Sequence, residues 1–162
     1  MQAVLVYDSQ FGNTARIAQA IAEGLGKSVS VNIVTASEAV GEPFATPGLL
    51  VVGGPTHRHA MSPALQAFLD AVPKNSLRGV PAATFDTRYR MSALLSGSAA
   101  GQAAGRVRKA GCSVVVSPES FFIVRDVPPK GEKRRHETEQ LEDGEIERAV
   151  EWGRRLTTLV AT

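Results

Sequence analysis

Two hydrophobic patterns alternate along the chain. Short apolar runs of β-branched and small residues recur, and each is followed by a stretch whose apolar positions return every third or fourth residue. Residues 3–7 predict a buried strand. Residues 14–25 predict a helix with Ala18, Ile21, Ala22 and Leu25 on one face, ended by Gly26. Residues 29–34 predict a second strand, and 41–48, with Pro43 and Pro47, a loop. The apolar run 49–52 ends in Gly53-Gly54-Pro55 and predicts a third strand. Ser62-Pro63 pairs a cap with proline at the first helical position, so a helix is expected from there to about Ala71. Residues 80–85 predict a fourth strand, and 98–110 a small-residue helix closed by Gly111. Residues 113–116 and 120–124 are β-rich and interrupted by Pro118; 126–139 read as a polar connector. The last helix is expected over 144–160, with Ile146, Ala149, Val150, Trp152, Leu156 and Leu159 toward the core.

Strand followed by helix, five times over, implies an α/β fold: a doubly wound, five-stranded parallel sheet with helices on both faces. In such sheets ligands sit beyond the carboxyl ends of the strands. Residues 8–14, 53–62 and 86–98 are the loops expected at that edge.

Composition narrows the picture further. The 162 residues suit one domain spanning 1–162. No apolar run reaches the roughly 18 residues that cross a bilayer, so no membrane association is expected. A strand that starts within two residues of Met1 leaves no room for a signal peptide, and the single cysteine, Cys112, suits a reducing, cytoplasmic setting as a small buried hydrophobe. Eighteen Lys plus Arg against 16 Asp plus Glu give no argument for nucleic acid. Gly101 and Gly105, spaced as GxxxG, are read as close helix–sheet packing, and Lys133, Arg134 and Arg135 as a solvated loop or a docking patch for an acidic reductase or a dinucleotide phosphate.

The sharpest chemistry lies in residues 4–14, VLVYDSQFGNT. An apolar strand ends in Ser-x-x-Gly-Asn-Thr and a helix begins at once. Unpaired N–H groups at such a junction, with the positive end of the helix dipole, form a phosphate site. Ser9 and Thr14 add hydroxyls, and Gly12 permits close approach of the backbone. The loop has no lysine, which excludes a GxxxxGK[ST] loop and favours a single phosphate monoester.

The turn Ser9-Gln10-Phe11-Gly12-Asn13-Thr14 resembles the phosphate loop of the flavodoxin family. Gly54-Pro55-Thr56 after the third strand, Phe85-Asp86-Thr87-Arg88 after the fourth, and the terminal GEIERAVEWG of residues 144–153 extend that resemblance over the whole chain. It implies strand order 2-1-3-4-5 and bound FMN. Residues 9–14 would hold the phosphate; Pro55, Thr56, His57, Arg58 and His59 would lie along one side of the flavin ring. Asp86, Thr87, Arg88 and Tyr89 would lie along the other, with Tyr89 stacked on it. Phe11 stands where the family often has threonine, and residues 57–61 lack the glycine whose peptide bonds the flavin N5 in many members. Arg58, Arg88, Arg90, His57 and His59 crowd the ring loops with only Asp86 opposed, which implies a flavin of raised potential or an acidic partner.

Three functions follow from the resemblance and the residues. The first is an FMN-dependent electron carrier acting between a reductase and an acceptor, as monomer or homodimer, with no side chain as obligatory catalytic acid or base. The second is an NAD(P)H-dependent quinone or nitro-compound reductase. The third is a module without flavin, either a scaffold that has lost it or a phosphoacceptor domain using Asp8, which has no acidic partner beside it in the sequence. His57 and His59 invite a metal, but no cysteine or third ligand stands near them.

Overall fold

The computed structural model describes residues 1–42, 45–91, 97–125 and 139–161. Strands β1 (Gln2–Tyr7), β2 (Ser30–Thr35), β3 (Leu49–Pro55), β4 (Pro81–Tyr89), β5 (Ser113–Val114), β6 (Glu119–Arg125) and β7 (Glu139–Leu141) form one sheet. Its order is β2-β1-β3-β4-β6-β7, with β5 also on β4. Every pairing is parallel except β6–β7. The helices are α1 (Asn13–Leu25), α2 (Ala36–Ala39), α3 (Pro63–Ala71), α4 (Ala99–Lys109) and α5 (Glu145–Val160).

The two-residue side-chain period of the strands divides the core into two layers. Val4, Val6, Leu50 and Val52 pack with Leu65 and Phe68 of α3 and Ala103 and Val107 of α4. Leu5, Leu49 and Val51 pack on the opposite face with Ile17 and Ile21 of α1 and Trp152 and Leu156 of α5. Phe85, Phe121 and Trp152 meet edge to face there, with centroids 6.2–6.3 Å apart. The order of the first four strands is the one that the family resemblance implies.

The predicted fifth strand is two strands, and with β7 the sheet has seven among the described residues. β5 pairs with Pro81 and Ala82, and β6 with residues from Phe85 to Tyr89. Pro118 falls in the gap between them, where its missing N–H cannot serve a ladder. β7 lies at the end of the predicted connector, with Glu139 opposite Arg125. A short helix, α2, follows β2 through a reciprocal Thr35–Glu38 capping box that the hydrophobic pattern alone does not reveal. Leu159 is exposed rather than in the core.

Close helix packing is also placed elsewhere than predicted. A Cβ on Gly105 would meet nothing within 4 Å, and on Gly101 only Ser98. The glycines that backbone approach demands are Gly24 and Gly153, where α1 crosses α5: a Cβ on Gly24 would stand 2.0 Å from the Val150 oxygen, and one on Gly153 2.3 Å from the Ile21 oxygen. β6 is fastened to α5 by Glu145, which accepts from the Phe122 N–H at 2.7 Å and from Arg148 at 2.7 Å. Burial pushes the Glu145 carboxyl up, but these hydrogen bonds outweigh burial and hold it below its ordinary value.

Two outcomes follow. Gly153→Ala lowers unfolding free energy by about 2–3 kcal/mol, while Gly105→Ala leaves it unchanged or raises it by up to about 1 kcal/mol; urea denaturation of both compares them. Because the Glu145 carboxyl is depressed in the folded state, its contribution is present above the ordinary value of 4.5 and is lost as pH falls through the lower folded value. Stability of Glu145→Gln therefore declines less steeply than wild type on acidification below that point, as thermal melts against pH will read.

Candidate functional site

At the carboxyl ends of β1, β3 and β4 lies a cavity of about 450 Å³, lined by residues from 10–14, 55–59, 87–91, β6 and β7. At one end the chain leaves β1 and enters α1 through Gly12, at φ +89°, a conformation that only glycine adopts cheaply. A Cβ there would meet nothing within 4 Å, so space as well as conformation is open at that turn. Ser9 Oγ accepts from the Gly12 N–H at 3.1 Å and the Ala15 N–H at 3.3 Å and thereby folds the loop. No acceptor among the described residues meets the N–H groups of Gln10, Phe11, Asn13 or Thr14. These donors stand at the positive end of a thirteen-residue helix, the arrangement that suits an anion.

Behind the cavity stands Asp86, fully buried. Its Oδ2 accepts from Thr56 Oγ1 at 2.9 Å, Ser98 Oγ at 2.9 Å and the Ala100 N–H at 3.1 Å. Thr56 Oγ1 in turn accepts from the Ala99 N–H at 2.8 Å. One carboxylate at the amino end of α4 thus binds the loop after β3 to the loop before α4. Oδ1 makes no hydrogen bond and faces Arg88 Nε at 3.7 Å.

The loop after β3 closes in a tight turn. His57 and Ala60 exchange backbone hydrogen bonds at 2.9 and 3.0 Å, with Arg58 at φ +47° and His59 at φ +70° between them. Two consecutive positive φ values define a turn that favours Asn-Gly, and side chains there cost about 1–2 kcal/mol each. Its surroundings hold it in place. Gln102 donates to the His59 oxygen at 2.9 Å and accepts from the Met61 N–H at 3.4 Å. Gly97, at φ +68°, packs so closely that a Cβ would stand 2.4 Å from the His59 oxygen. His57, Arg58 and His59 are exposed at the cavity mouth.

Tyr89 forms the far wall. Its hydroxyl donates to Glu139 Oε1 at 2.6 Å, and burial together with that bond raises its phenol above the ordinary value against the pull of Arg125.

Of the predicted residues, Gln10, Phe11, Asn13, Thr14, Pro55, Thr56, His57, Arg58, His59, Thr87, Arg88 and Tyr89 line this cavity. Ser9 and Gly12 shape the loop without lining it, and Asp86 stands behind the wall as its anchor. Thr14 is buried, its hydroxyl 2.7 Å from that of Thr87. The cationic ring loops are less bare than their composition implies: Arg88 donates to Ser120 Oγ and the Met91 oxygen, both at 2.9 Å, and Arg90 pairs with Glu142 at 2.8 Å while stacking on Phe122. Met91, Ile123, Arg125 and Glu139 also line the cavity. Alternation along β6 aligns Ile123 and Arg125 with the core residue Phe121, but only the register with Tyr89 brings them to the site. The basic residues 130–135 lie outside the described residues. Among the described residues no cluster of His, Cys, Asp or Glu could hold a metal, and no helix is long and apolar enough to cross a membrane.

A family profile described as "Flavodoxin domain" matches residues 4–93, more than half of the chain. A search of curated proteins found no match. The chain is similar in structure to a flavodoxin from the domain Archaea, 20% identical at TM-score 0.67 with both chains covered in full. It is similar to oxidised flavodoxin 1 from Bacillus cereus, 17% identical at TM-score 0.67 over 99% of this chain and 97% of that one. It is also similar to the flavodiiron protein from Giardia intestinalis, 18% identical at TM-score 0.69, of which it spans 36%.

Asp86→Ala strands three donors in the interior and is expected to cost about 3 kcal/mol. Asp86→Asn, which retains an acceptor for them, is expected to recover more than half of that loss in denaturant titrations. An Ala variant as stable as wild type would remove Asp86 from its anchoring role.

Proposed function

The chain belongs to the flavodoxin family, and on that footing we propose that the cavity holds FMN and that the protein carries electrons between a reductase and an acceptor. The observation that carries this reading is the set of N–H groups at Gln10, Phe11, Asn13 and Thr14 that meet no acceptor among the described residues, on residues that line a cavity of about 450 Å³. These groups suit a phosphate dianion, which accepts several charge-assisted hydrogen bonds at once. A β-carbon at position 12 would project into open space, so nothing of the protein competes for that volume.

The remaining residues fit the group's other end. Thr87 and Tyr89 of β4 line the cavity on one strand, and His57, Arg58 and His59 of the turn after β3 line it from another. When bound, FMN supplies the redox chemistry, taking up and releasing electrons one or two at a time. The protein's part is to bind and orient. The α1 terminus would hold the phosphate, Tyr89 would exclude water from one wall, and the pinned turn would offer a fixed main chain to the flavin. Arg58 adds exposed positive charge at the mouth, which favours an acidic partner or an anionic acceptor. The reading as an NAD(P)H-dependent quinone or nitro-compound reductase is supported by a second groove, of about 440 Å³, that shares Tyr89, Met91, Ile123 and Arg125 with the first.

Titration of the purified protein with FMN and with riboflavin, followed by flavin fluorescence, tests the assignment. FMN is expected to bind about 100-fold more tightly than riboflavin, a difference of about 2.7 kcal/mol from the phosphate alone. Gly12→Ala, which strains the turn, is expected to remove most of that difference. Equal affinities for the two flavins, or no saturable binding of either, would falsify the proposal.

A further inference from the structure

We infer that Glu139 is a positioning residue: its carboxylate fixes Tyr89 as a wall of the cavity while its main chain ties that wall to the amino end of α1. The two contacts come from one residue. Glu139 Oε1 accepts from the Tyr89 hydroxyl at 2.6 Å, and its carbonyl oxygen accepts from Asn13 Nδ2 at 3.0 Å. Asn13 is buried and is the first residue of α1, so the second contact reaches the anion-binding loop itself. The opposite strand completes the arrangement. Arg125, in register with Glu139, donates to the Tyr89 oxygen at 3.3 Å and stands 5.5 Å from its ring centroid.

The placement has a consequence for the site. A tyrosine ring with a free hydroxyl rotates about two bonds; a hydroxyl tied to an ionised carboxylate is held in one rotamer. Tyr89 borders both the cavity of about 450 Å³ and the adjoining groove of about 440 Å³. Held in place, it presents a fixed face toward a planar ligand; released, it would lose that face. β7 runs over Glu139–Leu141 on the edge of the sheet, and the bond to Asn13 adds a tie to α1 at its first residue. Burial and the Glu139 bond raise the Tyr89 phenol, as a hydroxyl that must stay protonated to donate requires.

The effect on ligand binding rests on the flavin reading above; the latch itself is measured in the protein alone. The chain has two tyrosines, Tyr7 and Tyr89. In ligand-free protein, alkaline titration at the tyrosinate absorbance is expected to show one phenol ionising above the ordinary value, missing in Tyr89→Phe and moved to lower pH in Glu139→Ala. Glu139→Gln, which retains an acceptor, is expected to keep most of the elevation. With FMN, Glu139→Ala and Tyr89→Phe are each expected to weaken binding about five- to tenfold, the double variant no more than either, and Glu139→Gln less than about twofold. An unmoved titration in Glu139→Ala overturns the latch, as do additive losses in the double variant. If wild type binds no flavin while the titration moves as described, the flavin reading fails and the latch stands.

Discussion

A carboxylate shut away from water has to be met by protein donors, and Asp86 is met by three on one oxygen: two hydroxyls and a main-chain N–H. The three lie on segments that are distant in sequence and adjacent at the site. Thr56 brings in the loop after β3, while Ser98 and Ala100 bring in the start of α4. Burial gives the arrangement its force, since the cost of any unmet partner rises as water is excluded. From this junction Gln102 and Gly97 reach over to hold the His57–Ala60 turn, whose two side-chain-bearing residues at positive φ would relax in isolation. A buried ionic contact therefore sustains a strained surface turn, and that turn forms one side of the cavity.

The electrostatics of the cavity follow from geometry more than from residue counts. Arg88 and Arg90 are committed to Ser120, Met91 and Glu142, and Asp86 stands 3.7 Å from Arg88. The positive character at the closed end comes instead from peptide N–H groups and the α1 dipole, which are fixed in direction and cannot be neutralised by a neighbouring acid. Donors arranged that way suit an anion at one position. Cationic side chains contribute at the mouth, where they act on what approaches.

The opposite wall depends on chain segments far apart. Tyr89 ends β4, Arg125 ends β6 and Glu139 opens β7, and the three meet only because parallel and antiparallel ladders bring them into register. Sequence alternation places Ile123 and Arg125 on one face, yet nothing local marks Glu139, which follows a polar segment with no hydrophobic period. The same holds for Gly24 and Gly153. Their separation in sequence hides that α1 and α5 cross there with main chain against main chain, whereas the GxxxG spacing of Gly101 and Gly105 faces open space and Ser98.

Local chemistry was enough to place the first four strands, the helix between residues 14 and 25, and the cap at Ser62, while their order in the sheet came from the family resemblance. Each of these depends on the period of apolar residues, on a hydroxyl beside a helix start, or on a glycine that the backbone requires. Tertiary structure alone decided that Asp86 lies behind the cavity and not on it, that the two pieces flanking Pro118 pair with separate parts of β4, and that Glu139 joins Tyr89 to α1. The physical reason is the same throughout. Burial and register are properties of contacts between segments, and a linear pattern carries the periodicity of each segment but not which of its polar groups will meet across the fold.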